Sequence, residues 1–176
     1  MTVRRAYGLT VPPSYRLTVY QSYILHMAIH IRDATDRDAV ALVPLLAEVN
    51  HPASEAEIAT RMVRVLGAGD RVLVAEDGET IVGLLTFHVT PVLHRPTFVA
   101  RITALVVLPH AQGKGVGRRL VETAEALAVA GGAARLELTS GAEREGAHRF
   151  YRRLGYEDKG IRFAKVLASS PLPKES

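Results

Sequence analysis

Residues 112–117 read Gln-Gly-Lys-Gly-Val-Gly and separate two patterns of different period. Before them an apolar run, Ile102 to Leu108, is closed by Pro109; after them, Val116 to Ala130 carries apolar residues at helical spacing. A strand, a glycine-rich loop and a helix N-terminus in succession form a device for holding phosphates. The first N–H groups of the helix have no partner inside it, and the helix dipole adds partial positive charge at the same place. Glycines let the loop take positive φ and let a diphosphate approach without a Cβ in its path. Lys114, Arg118 and Arg119 add formal charge. The chemistry implied is the binding of a phosphorylated carrier. No G-x-x-x-x-G-K-[ST] run is present, and Arg118 stands where a dinucleotide fingerprint requires its last glycine.

The pattern that fits is Q/R-x-x-G-x-G/A, through Gln112, Gly115 and Gly117. It resembles the coenzyme A loop of the GNAT superfamily of N-acetyltransferases. A second stretch points the same way. Residues 139–156 read Thr-Ser-Gly-Ala-Glu-Arg-Glu-Gly-Ala-His-Arg-Phe-Tyr-Arg-Arg-Leu-Gly-Tyr. The family commonly ends with a helix of the form N-x-x-A-x-x-[FL]-Y-x-x-x-G-[FY]; Ala147, Phe150, Tyr151, Gly155 and Tyr156 fit that frame. Arg144 departs from it, standing where Asn is usual.

The elements that must position these residues alternate as in an α/β protein. Ile29 to Arg32 reads as a short strand. Thr35 or Asp36 caps a helix to about Val49, with Val40, Leu42, Val43, Leu45 and Leu46 on its apolar side. Ser54 caps a second helix to about Leu66, with Ile58, Met62, Val65 and Leu66 inward. Arg71 to Glu76 and Thr80 to Thr90 form a hairpin around Asp77-Gly78. Thr97 to Leu108 is a long strand leading into the loop and the Val116–Ala130 helix, which Gly131-Gly132 stops. Ala134 to Thr139 is a strand, Arg144 to Leu154 a helix capped by Gly155, and Tyr156 to Lys159 with Ile161 to Leu167 a final hairpin. This order resembles that of the GNAT fold. It implies a mixed, mostly antiparallel sheet of six to seven strands, with a splay between strands four and five and four flanking helices.

The expected domain covers residues 27–168, preceded by a poorly ordered extension, 1–26, and followed by a polar tail, 169–176. The 176 residues suffice for one full core. The absence of cysteine excludes a disulfide scaffold, a thiolate metal site and cysteine nucleophile chemistry; no metal site is expected. Aromatics are only 6% and the net charge of +4 is spread along the chain, which argues against a base-stacking nucleic-acid surface and suits an anionic small ligand. The most apolar N-terminal stretch, Tyr15 to Ile31, is interrupted by Arg16, Gln21, Ser22, His26 and His30, so neither a membrane span nor a signal peptide is read there. A cytoplasmic location without membrane partners is the expectation.

The resemblance implies a function: transfer of an acetyl group from acetyl-CoA, as co-substrate, to a primary amine of a small molecule or peptide by direct attack in a ternary complex. It implies that Gln112, Gly113, Lys114, Gly115, Val116, Gly117 and Arg118 hold the carrier's phosphates. It also implies that the backbone of Leu105, Val106 and Val107 lines the pantetheine arm, with one amide, that of Val107, facing the thioester carbonyl. Arg144 would meet the neighbouring loop or a phosphate. Tyr151 would be the acid for the leaving thiolate, since a phenol with pKa about 10 stays protonated at neutral pH; its helical spacing with Ala147, Phe150 and Leu154 also suits a plain core tyrosine. The amine must lose a proton, and here no base is evident. Some family members carry a glutamate on strand four, where Ala100-Arg101-Ile102-Thr103 has no carboxylate. Glu48, His51, His88, His94 or a water chain are the candidates. The missing carboxylate also leaves room for a catalytically silent acyl-CoA-binding sensor or subunit on the same fold, and a homodimer is compatible with either.

Overall fold

In the computed structural model of the protein, residues 29–160, 163 and 165 are described. The chain divides into two compact units, Met1–Leu138 and Thr139–Ser176. The expected extension 1–26, most of the expected last strand Ile161 to Leu167, and the tail 169–176 lie outside the described residues.

Among the described residues the first unit contains five strands: β1 (His30–Asp33), β2 (Arg71–Asp77), β3 (Thr80–Thr90), β4 (Phe98–Val107) and β5 (Ala133–Glu137). They lie in the order β1-β2-β3-β4-β5. The first three pairings are antiparallel, while β4 and β5 run parallel. The β2–β3 hairpin turns over Gly78 and Glu79, between the paired Asp77 and Thr80. Gly78, with φ +62°, supplies the left-handed residue that such a short loop requires.

Three helices cover this sheet: α1 (Ala39–Ala47), α2 (Glu55–Gly67) and α3 (Val116–Ala130). On one face Leu42 and Leu45 of α1 and Ile58 and Met62 of α2 bury themselves against Val72, Val74, Leu84 and Val106. Val40, expected on the inward side of α1, is 58% exposed, because α1 turns Ala39, Leu42 and Leu45 to the sheet, with Val43 and Leu46 partly buried beside them. Ser54 caps α2 as expected: Glu57 N–H donates to its hydroxyl, and Ser54 N–H donates to the Glu57 carboxylate.

Thr35, one of the two residues expected as the cap, stands at the N-cap of the segment that enters α1. A single 3-10 turn, Asp36–Asp38, precedes the helix. Buried Asp38 accepts from both Nη1 and Nη2 of Arg32 at 2.7 and 2.8 Å and from Thr35 N–H at 2.6 Å. Arg32 also donates through Nε to Glu76 at 2.7 Å. This network ties β1, β2 and the entry to α1 into one fork-shaped set of charge-assisted bonds.

On the other face α3 lies close to the sheet because Gly83 removes a side chain between them. A Cβ there would come within 3.0 Å of both Leu120 Cδ1 and Val116 Cγ1. Val116, Leu120, Val121 and Ala124 are fully buried in that contact. Among the described residues the second unit carries one helix, α4 (Glu145–Arg153), followed by Gly155 at φ +88°. Tyr156 to Lys159, expected as a strand, is irregular; five strands, rather than six to seven, are present among the described residues. Two glycines, at 155 and 160, flank that short segment, and among the described residues no strand pairs with it.

Candidate active site

The glycine-rich loop grows directly out of the end of β4. Leu108 N–H donates to Val82 O at 2.9 Å, and Pro109 then opens a 3-10 turn, Pro109–Ala111, pinned by fully buried Ala111. Gln112 to Gly115 are exposed. Gly113 and Gly115 take φ of +76° and +83°, a region that glycine enters without penalty, and a Cβ at either would meet nothing within 4 Å. The requirement for glycine is therefore conformational, and the space beside the backbone stays open. Helix α3 starts at Val116, and its first backbone bond within this end is Arg119 N–H to Gly115 O. The N–H groups of Val116, Gly117 and Arg118 precede that bond. No side chain caps them, and no acid lies in the first turn. Exposed Lys114, Arg118 and Arg119 surround this end, with Arg118 3.7 Å from Glu122 one turn on. The result is an uncapped helix N-terminus on a cationic rim, which can take the oxygens of a diphosphate. A shallow groove of about 480 Å³ between β1 and α3, lined by His30, Arg119 and Glu122, uses none of residues 112–118.

Beside this loop the sheet opens. β4 pairs with β5 only from Phe98 to Arg101, whereas its pairing with β3 continues to Val107. From Ile102 onward the β5 side of β4 is released. Backbone groups alternate sides along a strand. Since Leu108 donates toward β3, the amide and carbonyl of Val107 and of Leu105 point to the released side, and those of Val106 point to β3. The Val107 carbonyl accepts from Gln112 Nε2 at 2.9 Å. This bond ties the loop to the open strand edge. The Leu105 and Val107 side chains, opposite Leu85 and Gly83, lie on the α3 face. Val106 is buried in the core with α1 and α2.

At the point where β4 and β5 part, polar groups gather on the α1–α2 face. Arg101 and Glu137 are the last register pair, with Nη2 and Oε2 3.7 Å apart. Arg135 approaches the other carboxylate oxygen of Glu137 at 3.5 Å. His88, opposite Arg101 on β3, lies 3.8 Å from Asp70. A bulge leaves Thr103 unmatched between the pairs Thr86–Ala104 and Phe87–Ile102. The Thr103 and Thr86 hydroxyls meet at 2.7 Å. Glu137 is thus a carboxylate at the splay that the sequence did not announce, because its place depends on which strand lies beside Arg101. The one available signal was its alternation with Arg135 on β5. Of the residues considered as bases from the sequence, Glu48, His51 and His94 are exposed and only His88 is half-buried near this point.

Tyr151 and Arg144 belong to the second unit. Arg144 is the residue before α4; its N–H donates to Gly141 O, its carbonyl accepts from His148 N–H, and its guanidinium lies 3.9 Å from Glu143. Tyr151 is half-buried, with edge-to-face contacts to Phe150 and Tyr156 at ring separations of 5.1 and 5.7 Å. Burial raises its phenol above the ordinary value of 10, and the Arg144 charge opposes this in part. The hydroxyl is therefore a proton donor throughout the neutral range.

Residues 39–156 match the acetyltransferase (GNAT) family. The chain belongs to that family. It is 39% identical over 95 residues to the aminoalkylphosphonate N-acetyltransferase of Salmonella typhimurium, a match spanning 54% of this chain and 61% of that relative's length. Among solved structures, a transcriptional regulator from Bacillus halodurans C-125 superposes with a TM-score of 0.71 at 27% identity, over 78% of this chain and all of that one. A GNAT family acetyltransferase from Staphylococcus aureus superposes with a TM-score of 0.70 at 22% identity, over 80% of this chain and all of that one. The α/β GNAT fold expected from the sequence is the fold observed. No helix among the described residues is long and apolar enough to cross a membrane.

Proposed function

We propose that this chain is an acetyl-CoA-dependent N-acetyltransferase acting on a primary amine of a small molecule in a ternary complex. The observation that carries the reading is the join between loop and splay: an uncapped helix N-terminus opens where β4 ends, and the same strand frees its outer edge. The first feature suits a diphosphate, through the N–H groups of Val116, Gly117 and Arg118 with the charge of Lys114. The second suits an amide-bearing arm laid along Leu105 and Val107 as an added strand. Leu105 lies nearer the splay point, and Val107 lies nearer the loop that would hold the phosphates. The Leu105 N–H is therefore the better donor to the thioester carbonyl as it gains negative charge.

In the proposed reaction the neutral amine attacks the carbonyl carbon, the new C–N bond forms, the nitrogen sheds one proton as the C–S bond breaks, and the thiolate takes a proton. Tyr151 is the proposed donor of that proton. Its match to the family's terminal helix frame and its raised pKa support the role.

The name of the Salmonella typhimurium relative favours small amines that also carry an oxyanion. Arg101 and Arg135 at the splay fit such an acceptor better than a polycation. The test is an acceptor screen with acetyl-CoA that follows free thiol and product mass together. Turnover of aminoalkylphosphonates or other anionic amines is expected, with little on polyamines. Binding of acetyl-CoA without transfer to any amine would favour a silent acyl-CoA-binding subunit instead.

A further inference from the structure

We propose that Glu137 is the base that takes the proton from the attacking amine, and that Arg101 and Arg135 hold its carboxylate in place. The proposal rests on the N-acetyltransferase reading and deepens it. The β4 segment Ala100–Thr103 offers no carboxylate, yet β5 delivers one to the same place, because Arg101 and Glu137 are the final pair before the strands part.

Three observations carry this. The carboxylate stands at the splay itself, where an arm lying along Leu105 and Val107 would end. Its two oxygens are held by different arginines, Oε2 by Arg101 at 3.7 Å and Oε1 by Arg135 at 3.5 Å, and at these distances both keep lone pairs for other donors. Between Arg101 and Leu105, the Thr86–Thr103 hydroxyl pair offers anchors for a water on the path. Arg101 is four residues from Leu105, roughly 13 Å along an extended strand before the bulge at Thr103 shortens it. A carboxylate reaching back from Arg101 needs a water to cover the remainder.

The step balances simply. An R-NH3⁺ group gives one proton, through that water, to the Glu137 carboxylate; the freed lone pair forms the C–N bond, the C–S bond breaks, and the second proton shed by the nitrogen replaces the one Tyr151 gives the leaving thiolate. Glu137 then returns the proton to solvent. The charged groups around it are Arg101 from β4, Arg135 from its own strand, and the His88–Asp70 pair next along the face; α3 covers the opposite face of the sheet. His88, 3.8 Å from Asp70 on the same face, is the rival base.

The experiment is a pH profile of kcat/KM between pH 6 and 9.5 for wild type, Glu137→Gln, Glu137→Asp and His88→Gln, with acetyl-CoA affinity measured for each. Glu137→Gln should lose about a hundredfold at pH 7. That loss should shrink toward pH 9.5, as the free amine becomes abundant without help. Glu137→Asp should recover part of the neutral rate, His88→Gln should keep the wild-type profile, and acetyl-CoA affinity should not change. The proposal is overturned if Glu137→Gln matches wild type at pH 7, or if it is slower by one factor at every pH. A profile lost in His88→Gln rather than Glu137→Gln overturns it as well. Absence of transfer by the wild-type chain to any amine overturns the functional reading, and this step with it.

Discussion

Gly83 lies directly opposite Val107 in the β3–β4 register, and the same glycine leaves room for Val116 at the first position of α3. One residue without a side chain thus sets the distance between the strand that would carry the pantetheine arm and the helix that would carry the phosphates. Replacing it with valine places methyl groups where the nearest atoms already stand about 3 Å from a Cβ. Overpacking of this kind costs about 1–3 kcal/mol. Gly83→Val should therefore lower the thermal midpoint and weaken acetyl-CoA binding together. A stable variant with wild-type affinity would show that α3 is not positioned through this contact.

Gln112 links loop and strand through its bond to the Val107 carbonyl. A hydrogen bond of this kind contributes about 0.5–1.5 kcal/mol net, so Gln112→Ala should weaken acetyl-CoA binding about threefold to tenfold. Because Gln112 is exposed, the unfolding free energy should hardly move. A large loss of stability with unchanged affinity would reverse the assignment.

Tyr151→Phe keeps the ring and removes the hydroxyl. The chemical step should slow by about a hundredfold, the low end for general acid catalysis, because a thiolate can leave unaided to some extent. Acetyl-CoA affinity should stay constant. Since burial raises the phenol pKa, the acid role in wild type should persist to at least pH 10. A single-turnover rate in Tyr151→Phe equal to wild type would return this residue to packing alone.

Asp38 gives the fold a specific acid sensitivity. The Arg32 guanidinium, opposed by burial and aided by Thr35, brings its carboxyl down to about 2 from the ordinary 3.8. The folded-state pKa lies below the unfolded one, so the stabilisation is full above about pH 4 and is lost as pH falls toward 2. A shift of this size corresponds to about 2 kcal/mol. Urea unfolding of wild type and Asp38→Asn should differ by about that much at pH 6, and the gap should close as pH approaches 2. A gap independent of pH would mean that Asp38 acts by shape and not by charge.

Local patterns in the sequence revealed most of the fold. The expected spans of β3 and α3 coincide with the observed ones, because alternation, helical spacing and the glycines at 131 and 132 all agree there. The glycine-rich loop was legible for the same reason: its glycines, its rim charges and the helix start are contiguous. Features made by pairing across the chain were not legible. The Arg32–Asp38–Glu76 network joins β1 to Glu76, 44 residues on, so the Thr35 cap was legible while the part Asp38 plays with Arg32 was not. Glu137 carries no local signal for a related reason. A lone acid in a short strand signals nothing until its neighbour is known to be Arg101. Val40 misled because apolar residues on a short helix outnumber the positions the sheet can cover.

The central claim is that the loop beginning at Gln112 holds acetyl-CoA by its phosphates. Calorimetric titration of acetyl-CoA into wild type and Gly115→Asp tests it most directly. Gly115 sits at φ +83° at the entrance to α3, so aspartate there adds backbone strain and a negative charge at the uncapped N–H groups. A single saturable site in wild type, with a matching rise in thermal midpoint and no binding in a folded Gly115→Asp protein, is the predicted result. Equal binding by both proteins, or no binding by wild type, would contradict the account.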